Sequence, residues 1–192
     1  EPVGSTNTII TAMYQEHGVT PSPKMAGLMA AAILSDTVMF KSPTCTKKDI
    51  AMAERLARIA RISLKELGRE LFSSTSDGKS AEELLGTDYK EFHISGQTIG
   101  VGQITCVDSS KLVERRDEFI EAMEKVKQRS NCDLVILMIT DVLLDGSHIF
   151  YVGSDDVMQE AFSAVPKDKH MFLPKVMSRK KQIIPMLTAM WG

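Results

Sequence analysis

Residues 133–141, Asp133-Leu134-Val135-Ile136-Leu137-Met138-Ile139-Thr140-Asp141, form an almost continuous apolar run of strand length. Such a run is typical of a central strand that is covered on both faces. The pair Asp145-Gly146 follows it as a hairpin turn signal and leads into a second strand near residues 148–152. We therefore predict an α/β domain built on a mixed sheet, with residues 133–141 at its centre.

The sequence on either side of this strand predicts further helices and a hairpin. The predicted elements are a capped helix after Ser80, a hairpin of residues 89–94 and 98–107, one helix over residues 110–128, a short helix near residues 156–162, a loop to Pro174 and a final helix from Pro185 to near Trp191. The glycines of Gly100-Val101-Gly102 lack the further glycine of a dinucleotide loop, so they predict close packing or a bulge.

The N-terminal part of the chain is helical by its apolar spacing and its start signals. A first helix is predicted from Ser5–Asn7 to Gly18, and a second from Pro23, apolar almost all round and hence buried. Two more helices begin at the capping-box spacings Thr46–Asp49 and Ser63–Glu66.

A small, polar stretch, Ser73-Ser74-Thr75-Ser76-Asp77-Gly78-Lys79-Ser80, separates these helices from the sheet. This composition predicts a linker over residues 73–79 between domains of residues 1–72 and 80–192. Gly78-Lys79-Ser80 resembles the end of a phosphate-binding P-loop, but Ser73 stands where that motif needs glycine and a helix precedes it. We therefore reject a nucleotide P-loop.

Composition excludes several classes of partner. An isoelectric point near 6.1 argues against nucleic acid or a membrane surface as the main partner. Three cysteines, Cys45, Cys106 and Cys132, are far apart and lack metal-site spacing, which is typical of reduced thiols in a cytoplasmic protein. Histidines 17, 93, 148 and 170 are likewise scattered without ligand spacing.

The most basic segment is Met177-Ser178-Arg179-Lys180-Lys181-Gln182-Ile183-Ile184-Pro185. Three adjacent cations repel one another, and a bound phosphate or a nearby carboxylate would relieve that repulsion. The alternatives are a solvated basic strand or a nuclear-localisation-like tract.

Asp36 is the second unusual charge, because apolar residues flank it on both sides, in Ile33-Leu34-Ser35-Asp36-Thr37-Val38. A carboxylate in such a setting needs a cation or several hydrogen bonds. It either caps the following turn or serves as a ligand for Mg²⁺ or Mn²⁺, which prefer oxygen.

Taken together, five blocks of the sequence resemble the family II, manganese-dependent inorganic pyrophosphatases of the DHH phosphoesterase superfamily. The blocks are Pro2-Val3-Gly4-Ser5-Thr6-Asn7-Thr8-Ile9-Ile10, Ile33-Leu34-Ser35-Asp36-Thr37 with Lys41-Ser42-Pro43-Thr44, Lys79-Ser80-Ala81-Glu82-Glu83-Leu84, Met138-Ile139-Thr140-Asp141 and Ser178-Arg179-Lys180-Lys181-Gln182. They occur in the family's order and span essentially the whole chain.

The resemblance implies a two-domain enzyme, with a helical C-terminal part of a DHH domain followed by a DHHA2 domain. Asp36 would bridge two divalent ions, manganese or else cobalt or magnesium. Lys79, Arg179 and Lys180 would hold pyrophosphate across a cleft, with Arg179 and Lys180 as the catalytic cations. A metal-activated hydroxide would attack one phosphorus, and the family further implies a homo-oligomer, a dimer.

One departure from the family pattern is large, because the Asp-His-His motif that names the superfamily does not occur in the sequence. We expect the chain to be the C-terminal part of the enzyme, inactive alone and prone to self-association through helices that lack their sheet. Rival functions are an exopolyphosphatase of the same superfamily and a module that senses phosphate or a nucleotide without catalysis.

Overall fold

The structure, a computed structural model, describes residues 2–73 and 78–191. The chain divides into two compact units, Glu1–Ser74 and Thr75–Gly192. Residues 74–77 of the predicted linker lie outside the described residues. Each unit has its own hydrophobic core and is described by itself.

The first unit is helical, as predicted. Its helices are α1 (Thr6–Glu16), α2 (Pro23–Asp36), α3 (Lys47–Ala60) and α4 (Leu64–Ser73). The start signals are confirmed, because Ser5 caps α1, Ser22 caps α2 and Thr46 forms a capping box with Asp49 at α3. The core of the unit lies where α2 meets α3, around Ala26, Ala30, Ile33, Ala53 and Leu56.

The prediction that α2 is buried all round is wrong. Met25 and Leu28 are 47% and 60% exposed, while the opposite face of α2, with Ala26, Ala30 and Ile33, is buried. The physical reason is that the unit's other helices pack against only part of the α2 surface. Helix α1 also exposes apolar side chains, such as Met13 at 51%.

The second unit contains a five-stranded mixed sheet, which confirms the predicted fold class. The strands are β1 (Tyr89–Ile94), β2 (Gln97–Cys106), β3 (Leu134–Asp141), β4 (Gly146–Val152) and β5 (His170–Pro174), and they lie in the order β1-β2-β3-β4-β5. Strands β2 and β3 pair in parallel, and the other neighbours are antiparallel. Every residue of β3 is buried, as expected for a central strand.

Helices cover both faces of this sheet. They are α5 (Ala81–Thr87), α6 (Ser110–Glu114), α7 (Arg116–Ser130), α8 (Asp155–Phe162) and α9 (Ile184–Trp191), and a π-helical turn (Arg179–Ile183) leads into α9. One core joins α5, α6 and α7 to Val135, Leu137 and Ile139 of β3. The other joins α8, the π-helical turn and α9 to Ile136 and Met138, because successive side chains of a strand point to opposite faces.

Two predicted boundaries in this unit are wrong. The single helix of residues 110–128 is broken at Arg115, whose ψ of 18° leaves the helical range. One such residue hardly disturbs the amphipathic pattern, so the spacing of apolar residues does not show it. The predicted loop before Pro174 ends in β5, where Met171 and Leu173 are buried and Phe172 points outward with period two.

Gly100 and Gly102 allow close packing on β2, as predicted. A Cβ on Gly100 would lie 1.8 Å from the Tyr89 hydroxyl oxygen, and one on Gly102 would lie 2.8 Å from Leu85 Cδ1. Both glycines therefore make room for side chains of the same unit. Among the described residues, no helix is long and apolar enough to cross a membrane.

Candidate functional site

The basic segment of the second unit is a turn that closes on its own side chains. Ser178 Oγ accepts a hydrogen bond from the Lys181 amide at 3.3 Å. Gln182 Oε1 accepts from the amides of Met177 at 2.8 Å and Ser178 at 3.0 Å, and its Nε2 donates to the Lys175 carbonyl at 2.8 Å. These bonds define the backbone on both sides of the cations, so the alternative of a solvated basic strand is wrong.

The closed turn separates the three cations. Ile183 is fully buried and anchors the turn in the core below the sheet, as predicted. Arg179 is 5% exposed and points inward, whereas Lys180 and Lys181 lie on the surface. The charges that are adjacent in sequence therefore occupy different environments.

Arg179 is held by the turn between α5 and β1 and by β2. Its Nη1 donates to the carbonyls of Asp88 at 2.7 Å and Val101 at 3.0 Å, and its Nη2 lies 2.8 Å from Asp88 Oδ1. Nε is buried and has no hydrogen-bond partner within the described ranges. Because Nε is closed to solvent, an anion would approach this guanidinium at Nη2, by displacing the Asp88 carboxylate, whose side chain is 47% exposed.

The contacts of three residues in this region, Ser178, Gln182 and Asp88, were not predicted from the sequence. Ser178 and Gln182 carried a signal, a serine followed by glutamine, but at a spacing of four instead of the three of a capping box. The extra residue fits the wider π-helical turn. Asp88 carried no signal, because 91 residues separate it from Arg179.

Lys79 is exposed and immediately precedes the N-cap of α5. Ser80 and Glu83 form the predicted capping box, with Ser80 N to Glu83 Oε2 at 2.8 Å. Hydrogen bonds from Ser80 lower the pKa of Glu83, and the charge of Lys79 lowers it further. Lys79 makes no hydrogen bond or ion pair with the part of the chain that is described.

In the first unit, Asp36 is the last residue of α2 and is exposed. Its Oδ2 accepts a hydrogen bond from Ser5 Oγ at 2.7 Å, and its Oδ1 accepts none from the described residues. The alternative that Asp36 caps the following turn is wrong, because the Phe40 amide donates to Thr37 Oγ1 instead, at 3.2 Å. One carboxylate oxygen is thus held in place while the other is open.

Such an oxygen suits a hard divalent cation, which carboxylates bind well. Among residues 2–73 and 78–191, however, no group of three or more His, Cys, Asp or Glu side chains could hold a metal ion. Asp36 therefore fits a metal site as one ligand of a larger set.

Asp49 is the most densely hydrogen-bonded carboxylate near Asp36 in sequence and structure. It accepts from the amides of Gly4 at 2.9 Å, Ser5 at 3.2 Å and Thr46 at 2.7 Å, and from the hydroxyls of Thr8 at 2.5 Å and Thr46 at 2.7 Å. Burial opposes ionisation, but the hydrogen bonds from Thr8, Thr46 and Gly4 outweigh it and lower the pKa of Asp49 to about 2. This carboxylate ties the segment before α1 to the start of α3.

Two of the scattered histidines meet in the fold. His148 Nδ1 lies 2.8 Å from His170 Nε2, between the rings of Phe150 and Phe172. Burial lowers the pKa of both imidazoles, and for His170 the charge of Arg116 lowers it further. Two histidines that are 22 residues apart in sequence are therefore neighbours on the adjacent strands β4 and β5.

Comparisons with known proteins cover the whole chain. Residues 69–190 match the DHHA2 domain family. A manganese-dependent inorganic pyrophosphatase from Methanothrix thermoacetophila is 43% identical over 97% of this chain and 62% of its own length. A cobalt-dependent inorganic pyrophosphatase from Clostridium perfringens is 39% identical over 98% of this chain and 35% of its own length.

A solved structure shows the same fold. A candidate family II inorganic pyrophosphatase from Methanococcus jannaschii superposes with a TM-score of 0.84 at 35% identity, over 100% of this chain and 66% of its own. The resemblance that the sequence predicted is confirmed. The chain thus spans less than two thirds of the length of these relatives. It belongs to the DHHA2 domain family, and its similarity to family II inorganic pyrophosphatases extends through the helical first unit.

Proposed function

We propose that the complete protein hydrolyses inorganic pyrophosphate to two phosphates with divalent metal ions. Asp36 is the observation that carries this proposal: its carboxylate is exposed, with one oxygen held by Ser5 and the other open. Support comes from relatives named manganese- and cobalt-dependent inorganic pyrophosphatases that match nearly the whole chain.

Asp36 would hold the metal as a bridging ligand, and the remaining ligands would come from outside residues 1–192. When bound, the ions supply Lewis-acid activation of water at neutral pH. We infer that the 192-residue chain alone is inactive, because its described residues contain no complete metal site.

Lys79, Arg179 and Lys180 would bind the phosphate oxygens. Lys180 and Lys79 are exposed point charges, which can follow a substrate as it changes shape during the reaction. Arg179 adds positive charge at the base of the turn, and its Nη2 would bind a phosphate oxygen in place of the Asp88 carboxylate. Together these cations would neutralise the charge that develops on the leaving phosphate.

The residues 1–72 and 80–192 would act as two domains, with residues 73–79 as the linker that lets them close on the substrate. We further propose a cytoplasmic homodimer. Free cysteines fit a reducing compartment, and burial raises the pKa of the Cys106 thiol to about 12, which keeps it unreactive.

The test is phosphate release by the complete protein with Mn²⁺, comparing pyrophosphate with longer polyphosphates. We expect pyrophosphate to be preferred, and Asp36→Asn and Lys180→Ala each to lower kcat/KM by about 100-fold or more. Preference for long chains would favour an exopolyphosphatase. Phosphate binding that needs no metal, without turnover, would favour a sensing module.

A further inference from the structure

The hydroxyl of Ser5 has one proton, and its surroundings decide where that proton points. Ser5 is 2% exposed, and its Oγ accepts a hydrogen bond from the Asn7 amide at 3.2 Å as the N-cap of α1. The same oxygen lies 2.7 Å from Asp36 Oδ2, which can only accept when ionised. The geometry therefore directs the single O–H toward Asp36.

The backbone of Ser5 is itself fixed. Asp49 Oδ1 accepts a hydrogen bond from the Ser5 amide at 3.2 Å, and Asp49 Oδ2 accepts one from the Gly4 amide at 2.9 Å. Gly4 packs so closely that an added Cβ would lie 2.8 Å from Thr37 Cγ2 and 3.2 Å from Asp49 Oδ2. The segment that carries Ser5 is thus held against both α3 and the residue after Asp36.

Asp36 is fixed on its other side by its own helix end. Thr37 is fully buried, and its hydroxyl donates to the Ile33 carbonyl at 2.6 Å. Beyond it, Val38, Met39 and Phe40 all have positive φ, of 49°, 50° and 69°, so the chain leaves α2 in a left-handed turn. The main chain at Asp36 therefore has little freedom, and the remaining freedom lies in the side-chain torsions that Ser5 restricts.

We propose that Ser5 is a positioning residue for the metal ligand Asp36, and that Asp49 holds Ser5 in place to do so. This inference rests on the proposed function. Hydrogen bonds to a ligating carboxylate from residues outside the metal's own ligands orient it, and their loss typically weakens metal binding about 10- to 100-fold. By holding Oδ2, Ser5 would fix the orientation of the Asp36 carboxylate and leave Oδ1 free to bind the cation.

The test is Mn²⁺ titration of the complete protein by calorimetry, with Asp36→Asn as the reference. We expect Ser5→Ala to raise the Kd for Mn²⁺ about 10-fold or more. Ser5→Thr keeps the hydroxyl and should stay within about threefold of the wild type. If Ser5→Ala does not fold, Ser5→Gly takes its place, because glycine is well tolerated at an N-cap and also removes the hydroxyl that donates to Asp36.

The matched control is Ser22→Ala. Ser22 caps α2 as Ser5 caps α1, accepting the Met25 amide at 3.3 Å, but it is not bonded to Asp36. Ser22→Ala should therefore lower stability without changing the Kd for Mn²⁺. The inference is overturned if Asp36→Asn weakens Mn²⁺ binding and Ser5→Ala does not. If Asp36→Asn has no effect either, the proposed function itself fails.

Discussion

Arg179 and Lys180 are neighbours in sequence, but they differ in burial and in the contacts that they make. Arg179 satisfies two carbonyls, of Asp88 and Val101, and pairs with the Asp88 carboxylate while 5% exposed. Lys180 is exposed and makes no hydrogen bond or ion pair with the described chain. Loss of activity after substitution of Arg179 would therefore mix a substrate effect with a stability effect.

We predict that Arg179→Ala lowers the free energy of unfolding of the second unit by about 2 to 4 kcal/mol, because a side chain that is 5% exposed is lost together with its hydrogen bonds to Asp88 and Val101. Lys180→Ala should change it by about 0.5 kcal/mol or less. Trp191, the single tryptophan of the chain, lies in α9 and reports this unfolding by fluorescence in denaturant. Equal stability of the two variants would show that the Asp88 contact contributes nothing.

Asp49 makes the free energy of unfolding of the first unit depend on pH. Because its pKa is lowered from 3.8 to about 2 in the folded chain, its contribution is fully present above pH 4 and disappears as the pH falls through 2. With allowance for screening by solvent, that contribution is on the order of 1 to 2 kcal/mol.

The measurement is urea unfolding of wild type and Asp49→Asn by circular dichroism between pH 6 and pH 2. We expect the wild type to be more stable at pH 6 and its advantage to shrink toward pH 2. If the difference in the free energy of unfolding between wild type and Asp49→Asn stays constant over this range, the hydrogen bonds do not stabilise the charged form of Asp49.

Among the helices, α3 ends in a way that invites a simple test. Arg61, the exposed residue that caps the C-terminal end of α3, has φ of 57° and ψ of 45°, a left-handed conformation that costs an L-residue about 1 to 2 kcal/mol. Arg61→Gly should therefore stabilise the chain by about 0.5 to 1 kcal/mol after the entropy of glycine is counted.

Arg58→Gly, three residues earlier and also exposed, is the matched control. It lies inside α3, where glycine should destabilise by about 1 kcal/mol. Thermal unfolding followed by circular dichroism measures both. The same sign for both substitutions would contradict the assigned helix end.

The elements that the sequence predicted well are those with local signals. Ser5, Ser22, Thr46 and Ser80 begin helices because their hydroxyls satisfy nearby amides, and these contacts span only two or three residues. β3 is predictable because a continuous apolar run of this length is typical of a strand that is buried on both faces. Strand β5 was missed because it is short and its pattern ends at a proline.

The candidate site was predictable only in part, for the same reason. Asp36 and the cations of residues 179–181 stand out by charge among apolar neighbours. Asp88, which holds Arg179, and Ser5, which holds Asp36, are 91 and 31 residues away from their partners. Contacts over such separations leave no periodic trace in a single sequence.

At the scale of the whole molecule, the proposal is that the two units act on one substrate, Asp36 through a metal ion and Lys180 through a phosphate oxygen. Side chains that act on the same transition state are not independent, so their effects on kcat/KM should not multiply. Two unrelated sites would give multiplicative losses.

The decisive measurement is a double-mutant cycle of Asp36→Asn and Lys180→Ala on Mn²⁺-dependent pyrophosphate hydrolysis by the complete protein. We expect each single substitution to lower kcat/KM by about 100-fold or more, and the double variant to lose at least about 10-fold less than the product of the two. A double variant that matches the product, or a single variant with wild-type turnover, would contradict a shared site.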